Sequence, residues 1–287
     1  MYNFPIGIIT DSFRTTVAEA IKKAAECGAN GVQMYASRGE LAPENMNSAK
    51  ISEVKKHLGD NGLKVSAICG DLGRGFGNPE INPELIETSK RIMETAKELG
   101  TDIVTTHIGV VPSDPSHERY KIMQQACFEL AEFADSMDAH FAVETGPETP
   151  EILKGFLDSL SSKGVAVNYD PANLVMVTNS DPVKGVYTLK DYIVHTHAKD
   201  GVHLFYRDPE IIYRVVPHIV EDPNAPKGRS FMEVALGTGK VDFVGLLKAY
   251  EEIGYKGYLT IEREVGSDPA KDIATAASYL RKIISEN

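Results

Sequence analysis

Cysteine is scarce in this chain: Cys27, Cys69 and Cys127 are the three present, far apart and without a CxxC pair. Neither a disulfide framework nor a thiolate zinc site is expected, and the three read as small core residues. Long apolar runs are missing too. No stretch approaches the ~18 to 20 residues a membrane span needs, so no membrane partner is expected. The opening MYNFPIGIITDSF has no basic segment, and Pro5, Thr10 and Asp11 interrupt its apolar character. It reads as a first strand rather than a secretory signal, and a cytoplasmic location is the expectation. Positive charge is in deficit: 30 basic against 41 acidic residues give a formal charge of -11. That works against a nucleic-acid partner, whose phosphates need a positive surface. It does not bar a small phosphorylated ligand, because one local arginine or lysine pair can hold a phosphate.

What is there is a regular alternation. With 42% hydrophobic and 25% charged residues nothing favours disorder, and no low-complexity tract, short repeat or linker divides the chain. Apolar segments at 6–10, 31–36, 65–69, 102–109, 140–146, 165–171, 192–200 and 257–264 alternate with helix-patterned ones at 15–28, 48–61, 83–99, 117–137, 151–160, 182–189, 241–253 and 269–284. Gly28, Gly62 and Gly100 stand where helices should stop. Alternating βα units imply a parallel sheet with right-handed crossovers. Eight of them close a (β/α)8 TIM barrel, which typically takes about 250 residues, so residues 1–287 are expected to form a single domain. An open doubly wound sheet is the competing arrangement, but the GxGxxG fingerprint of a dinucleotide fold is missing.

Two segments break the rhythm. Residues 203–233 are too long and too interrupted by proline for a simple βα loop, and an insertion of that size at a barrel mouth is usually functional or a partner surface. Its Phe205, Tyr206, Ile211, Ile212 and Tyr213 could cap the barrel or pack on another subunit, which makes a homodimer or homotetramer the expectation. The segment 71–83, with Gly73, Gly75, Gly77 and Pro79, reads as a loop over the mouth.

Barrel enzymes carry their chemistry at the C-terminal ends of strands. Four consecutive strands end in groups able to act: Glu144, Asp170, His197 and Glu262. From Glu144 to Asp170 is 26 residues and from Asp170 to His197 is 27, each one βα repeat; the longer step to Glu262 contains the insertion. Bare carboxylates in apolar strands are costly unless a cation compensates, and a metal is the economical explanation. Two glutamates, an aspartate and an imidazole suit Mn²⁺, Mg²⁺ or Co²⁺, with Zn²⁺ a further option. In YIVHTHAKD (192–200), His195, His197 and Lys199 share a face by strand alternation. His195 lies one pleat deeper as a hydrogen-bonded barrel residue, while Lys199 lies one pleat above, towards substrate. His107 has the inward parity of a substrate contact. Arg263 should point away from the site, and Glu264 ranks second to Glu262 as a ligand.

The signatures VETG, NYDPANLV, VHTHAKDG, LGTGKVDF and GYLTIEREVG resemble the sugar phosphate isomerase/epimerase family with the xylose-isomerase-like TIM barrel, which includes ketose 3-epimerases and inosose dehydratases. The resemblance is strong over strands five to eight and rests on rhythm alone before them. It implies that Glu144, Asp170, His197 and Glu262 bind one divalent metal and that Glu144 and Glu262 are the acid/base pair. The implied reaction is isomerisation or epimerisation of a keto sugar or sugar phosphate. One glutamate removes a proton beside a carbonyl polarised by the metal, and the other returns a proton to the resulting enediolate. A lyase or hydratase acting on a 3-keto sugar or inosose shares the first step. An apurinic-site endonuclease needs more histidines and a positive surface, and a purely structural metal is the non-enzymatic alternative. Two departures bear on the substrate. Asn173 stands where the ketose 3-epimerases carry a substrate-binding histidine; it can donate and accept hydrogen bonds but cannot titrate near neutrality. His203 replaces their arginine six residues after the metal histidine. His107, Asn173 and Lys199 are the expected substrate contacts.

Overall fold

The computed structural model describes residues 2–214 and 226–286. Ten strands follow in chain order: β1 (Ile6–Ile9), β2 (Gly31–Tyr35), β3 (Lys64–Cys69), β4 (Ile103–Thr106), β5 (His140–Glu144), β6 (Val165–Tyr169), β7 (Ile193–Ala198), β8 (Asp200–His203), β9 (Phe231–Val234) and β10 (Leu259–Ile261). The helices are α1 (Val17–Glu26), α2 (Ser48–Asp60), α3 (Asn82–Leu99), α4 (Glu118–Ser136), α5 (Pro150–Leu160), α6 (Pro171–Asn173), α7 (Pro182–Leu189), α8 (Pro209–Ile212), α9 (Phe243–Glu252) and α10 (Pro269–Glu286). Eight strands close a parallel barrel in the order β1-β10-β7-β6-β5-β4-β3-β2, and β8 pairs with β9 as a separate antiparallel ribbon. The fold is the (β/α)8 barrel that the alternation implies. No helix among the described residues is long and apolar enough to cross a membrane.

Local chemistry sets the boundaries. Thr16, Asn47, Thr149, Asp181 and Asp242 each cap a helix by accepting a backbone N–H with the side chain, and Pro150 and Pro182 occupy first helical positions. The stops at Gly28, Gly62 and Gly100 have φ of +74°, +66° and +91°. Because helices cover the sheet outside and side chains fill it inside, the strands are buried on both faces, as in a parallel sheet.

The structure departs from the sequence pattern at Lys199. The apolar run at 192–200 ends as a barrel strand at Ala198, and Asp200 opens β8. The insertion at the mouth is therefore framed by a hairpin, with Asp200 opposite Val234 and His203 opposite Phe231. Asp200 also closes the far end: its carboxylate accepts the backbone N–H groups of Gly237 (2.9 Å), Gly239 (2.8 Å) and Val241 (3.2 Å). That ties the LGTGKVDF segment to the end of β7. Residues 215–225 of the predicted insertion lie outside the described residues. Of its apolar residues, Tyr206 is 71% exposed, whereas Ile212 and Tyr213 pack partly buried against the core. Arg119 at the start of α4 pairs with Glu210 of α8 and fastens the insertion over the barrel.

Candidate metal centre

The four strand-end groups meet. Glu144 is the last residue of β5, His197 is the penultimate residue of β7, and Asp170 and Glu262 directly follow β6 and β10. One potential ligand atom from each lies within 4.8 Å of the others, and all four residues are buried. His197 Nδ1 is the hub: it lies 3.2 Å from Glu262 Oε2, 3.5 Å from Asp170 Oδ2 and 3.6 Å from Glu144 Oε1. His197 Nδ1, Asp170 Oδ2 and Glu262 Oε2 are buried without a hydrogen-bond partner. Buried polar atoms without hydrogen bonds are costly, and here three converge on one point, with the Lys199 ammonium 3.0 Å from Glu262 Oε2. A divalent cation satisfies all of them, so the donor set fits the metal that it implies.

The surrounding hydrogen bonds aim the ligands. Gln33 on β2 donates from Nε2 to Thr105 Oγ1 (3.0 Å), which leaves its Oε1 to accept His197 Nε2–H at 3.0 Å. The network thus assigns the proton to Nε2 and turns the Nδ1 lone pair to the metal position. Asn168 Nδ2 lies 3.2 Å from the same Nε2, but an amide nitrogen is a donor, so Gln33 decides the tautomer. A second chain runs beneath. Thr260 Oγ1 donates to His195 Nε2 (2.9 Å), His195 Nδ1 donates to Asn168 Oδ1 (2.8 Å), and Asn168 Nδ2 donates to Glu144 Oε2 (3.0 Å). His195 is thereby the buried support expected of it. Asn173 donates to Glu144 Oε1 (3.1 Å) and to the Thr145 carbonyl (3.3 Å), so its amide holds a ligand in place. Gly146 makes room for this: its φ is +148°, and a Cβ there would lie 2.6 Å from that of Asn173.

The charges are strongly coupled. Burial raises the Glu144 carboxyl, but His107 and His197 outweigh it and hold the group below its ordinary range. Burial likewise raises Glu262, and Lys199 and His197 bring it down well past its usual value. At Asp170 burial wins and the carboxyl is raised. Burial lowers His197, yet Glu262 and Glu144 more than reverse this, so its imidazole is raised well above the usual range. His195 is held neutral by burial and by the neighbouring His197. Lys199 is buried, 3.0 Å from Glu262 Oε2 and 2.6 Å from Glu264 Oε2. Glu264 is thus the outer partner of Lys199, and Glu262 is the member of the metal cluster. Arg263 points away, bound to Asp272 (2.9 Å) and Glu233 (2.7 Å). His107 Nε2 lies 3.5 Å from Glu144 Oε1.

Above the ligands opens a cavity of about 750 Å³, whose lining includes Glu144, Glu262, His107, Asn173 and Lys199. All three expected substrate contacts therefore border this cavity; Asn173 is bound to Glu144, and Lys199 to Glu262 and Glu264. Sequence reasoning missed Gln33, Asn168 and Thr260. The available signal was a buried polar side chain inside an otherwise apolar strand, GVQMY for Gln33 and VAVNY for Asn168.

Residues 21–283 match the model of the xylose isomerase-like TIM barrel family. A protein of Escherichia coli (strain K12) that carries the provisional name L-ribulose-5-phosphate 3-epimerase SgbU is 21% identical over 306 residues, covering 100% of this chain and 98% of that protein. Among solved structures, a xylose isomerase domain protein from Planctomyces limnophilus superposes with a TM-score of 0.79 at 24% identity, covering 99% of this chain and 98% of that one. A xylose isomerase-like TIM barrel protein from Mycobacterium smegmatis, in complex with magnesium, gives 0.74 at 17% identity over 100% and 99%. At these identities the solved structures establish the shared fold.

Proposed function

The chain belongs to the xylose isomerase-like TIM barrel family, and from that premise we propose that it is a divalent-metal-dependent isomerase or epimerase of a keto sugar or sugar phosphate. The observation that carries the reading is the convergence of three buried ligand atoms without hydrogen bonds beneath an open cavity. A cofactor site of that kind at the strand ends of a barrel is catalytic in position. Glu144, Asp170, His197 and Glu262 would hold one Mn²⁺, Mg²⁺ or Co²⁺; magnesium accompanies the M. smegmatis protein. When bound, the metal supplies Lewis-acid polarisation of a carbonyl.

The remaining work falls to side chains. Glu144 and Glu262 stand on strands separated by β6 and β7, so they flank the site from different directions. Both carboxyls are held below the ordinary range, so each is ionised at neutral pH and can accept a proton. One glutamate takes the proton from the carbon next to the carbonyl, and the other, once loaded with a proton from solvent in the open cavity, delivers it to the opposite face or to the neighbouring carbon. Asn173 and Asn168 fix the Glu144 carboxylate while it does so. His107 and Lys199 contact substrate oxygens from the cavity wall.

The test is proton exchange. Incubating the Mn²⁺-loaded protein with a panel of ketoses and ketose phosphates in D₂O should place deuterium on the carbon beside the carbonyl of one of them. Glu144→Gln should reduce that exchange by at least about 10²-fold when Mn²⁺ is supplied at a concentration that saturates the variant. Exchange with net loss of water would assign the lyase outcome instead. Absence of exchange from every substrate, or full turnover by Glu144→Gln, would defeat the reading.

A further inference from the structure

In a chain of net charge -11, four arginines line the cavity that leads to the metal ligands: Arg38, Arg207, Arg214 and Arg229. Three of them, Arg38, Arg214 and Arg229, are exposed, which places them at the mouth above the buried carboxylates. Arg38 comes from the loop after β2, and the other three come from the insertion framed by β8 and β9. Arg38 stacks 4.3 Å over the Tyr35 ring, and Arg207 donates to the Gly228 carbonyl at 3.3 Å. None of Arg38, Arg214 and Arg229 forms an ion pair with a carboxylate among the described residues. The acidic groups on the same lining are mostly committed elsewhere. Glu144 and Glu262 are metal ligands, Glu264 is bound to Lys199 and Glu233 to Arg263, while Asp71 accepts the Gly73 N–H.

The cavity is therefore bipolar, with a metal-binding floor and a guanidinium rim. Resting on the reading of the floor as a sugar-isomerising centre, we propose that the substrate is a phosphate monoester. Its carbonyl end meets the floor, and its phosphate is held by Arg214 and Arg229 of the insertion together with Arg38 from the loop after β2. A carboxylate offers two oxygens and one charge, whereas a phosphate dianion offers three terminal oxygens and close to two charges to several forks at once. The insertion thereby carries most of the anion site to a chain of net negative charge.

Calorimetric titration of inorganic phosphate into the full-length chain, with and without Mg²⁺, tests the assignment apart from turnover. Binding should appear in both states and weaken by about tenfold or more in Arg214→Ala/Arg229→Ala. A smaller loss is expected in Arg38→Ala, with the far-UV spectrum and Mg²⁺ affinity unchanged. Lysine at 214 and 229 should recover part of the affinity as a point charge. No phosphate binding would overturn the proposal. So would binding that requires Mg²⁺ and ignores the arginines, or succinate binding as tightly as phosphate. If phosphate binds as described while no ketose or ketose phosphate exchanges its proton, the reaction assigned to the floor fails and the anion site stands.

Discussion

Gln33 Oε1 lies 3.0 Å from His197 Nε2, although β2 and β7 are not neighbours and β1 and β10 stand between them in the barrel. The contact crosses the interior and fixes which imidazole nitrogen is free for metal. Gln33→Leu keeps the volume and removes the acceptor. It should weaken Mn²⁺ binding by about 10- to 100-fold while leaving the ligands in place, as measured by titration calorimetry. An unchanged Kd would mean that Gln33 does not orient the ring.

Metal uptake should displace a proton. The Glu262 and Glu144 carboxylates raise His197 well above the ordinary imidazole range despite its burial, so the metal-free protein carries that proton at neutral pH. Metal affinity should rise with pH through neutrality, and the heat of binding should differ between buffers of different ionisation enthalpy. The sign for stability is opposite. A histidine whose pKa is raised on folding stabilises fully below its unfolded value near 6.5 and loses that contribution as pH climbs through the folded value. Raising the pH above neutrality should therefore destabilise the metal-free protein and spare the metal-loaded one.

His195 was expected to support rather than to ligate, and its two bonds, to Asn168 and Thr260, fit that role. His195→Phe leaves both partners unsatisfied in the core and should cost about 2 to 4 kcal/mol in urea unfolding. One Mn²⁺ per chain should still bind. Loss of the metal with unchanged stability would reverse the assignment.

Glu148 offers an independent check of the electrostatics. Burial pushes its carboxyl up to about 8, against the Val111 N–H and the nearby His107. The unfolded group ionises near 4.5, so the wild type should lose stability progressively between about pH 4.5 and about pH 8 on this account. Glu148→Gln should match it at low pH and gain on the order of a few kcal/mol at pH 8. A stability difference that does not change with pH would show that Glu148 is not held protonated.

The eight βα units and the cluster of four candidate ligands were legible because both are carried by short-range pattern: apolar periodicity, capping residues and glycine stops, and a carboxylate or imidazole side chain at the end of four strands. Glu144, Asp170 and His197 recur at the spacing of the repeat, and Glu262 follows after the insertion. Gln33 and Asn168 were not legible as partners of His197, since their contacts depend on barrel closure and register. Both sit just after a register shift, at Val32/Gln33 and Val167/Asn168, which local sequence does not announce. The break at Lys199 was hidden for a similar reason. Asp200 leaves the barrel because Phe231–Val234, some thirty residues later, returns to pair with β8.

Asp170 carries the trade-off between stability and function. Its Oδ2 is buried without a hydrogen bond, and burial raises its carboxyl. Asp170→Asn should stabilise the metal-free protein by about 1 to 3 kcal/mol in urea unfolding. A variant less stable than the wild type without metal would show that this carboxylate is better satisfied than its surroundings indicate.

Titration of chelator-treated protein with Mn²⁺, for the wild type beside Asp170→Asn and His197→Ala, bears most directly on the centre. One ion per wild-type chain, with binding abolished or weakened by several orders of magnitude in both variants, is the expected result. A wild-type chain that takes up no divalent metal, or variants that bind it as tightly as the wild type, would contradict a metal at Glu144, Asp170, His197 and Glu262.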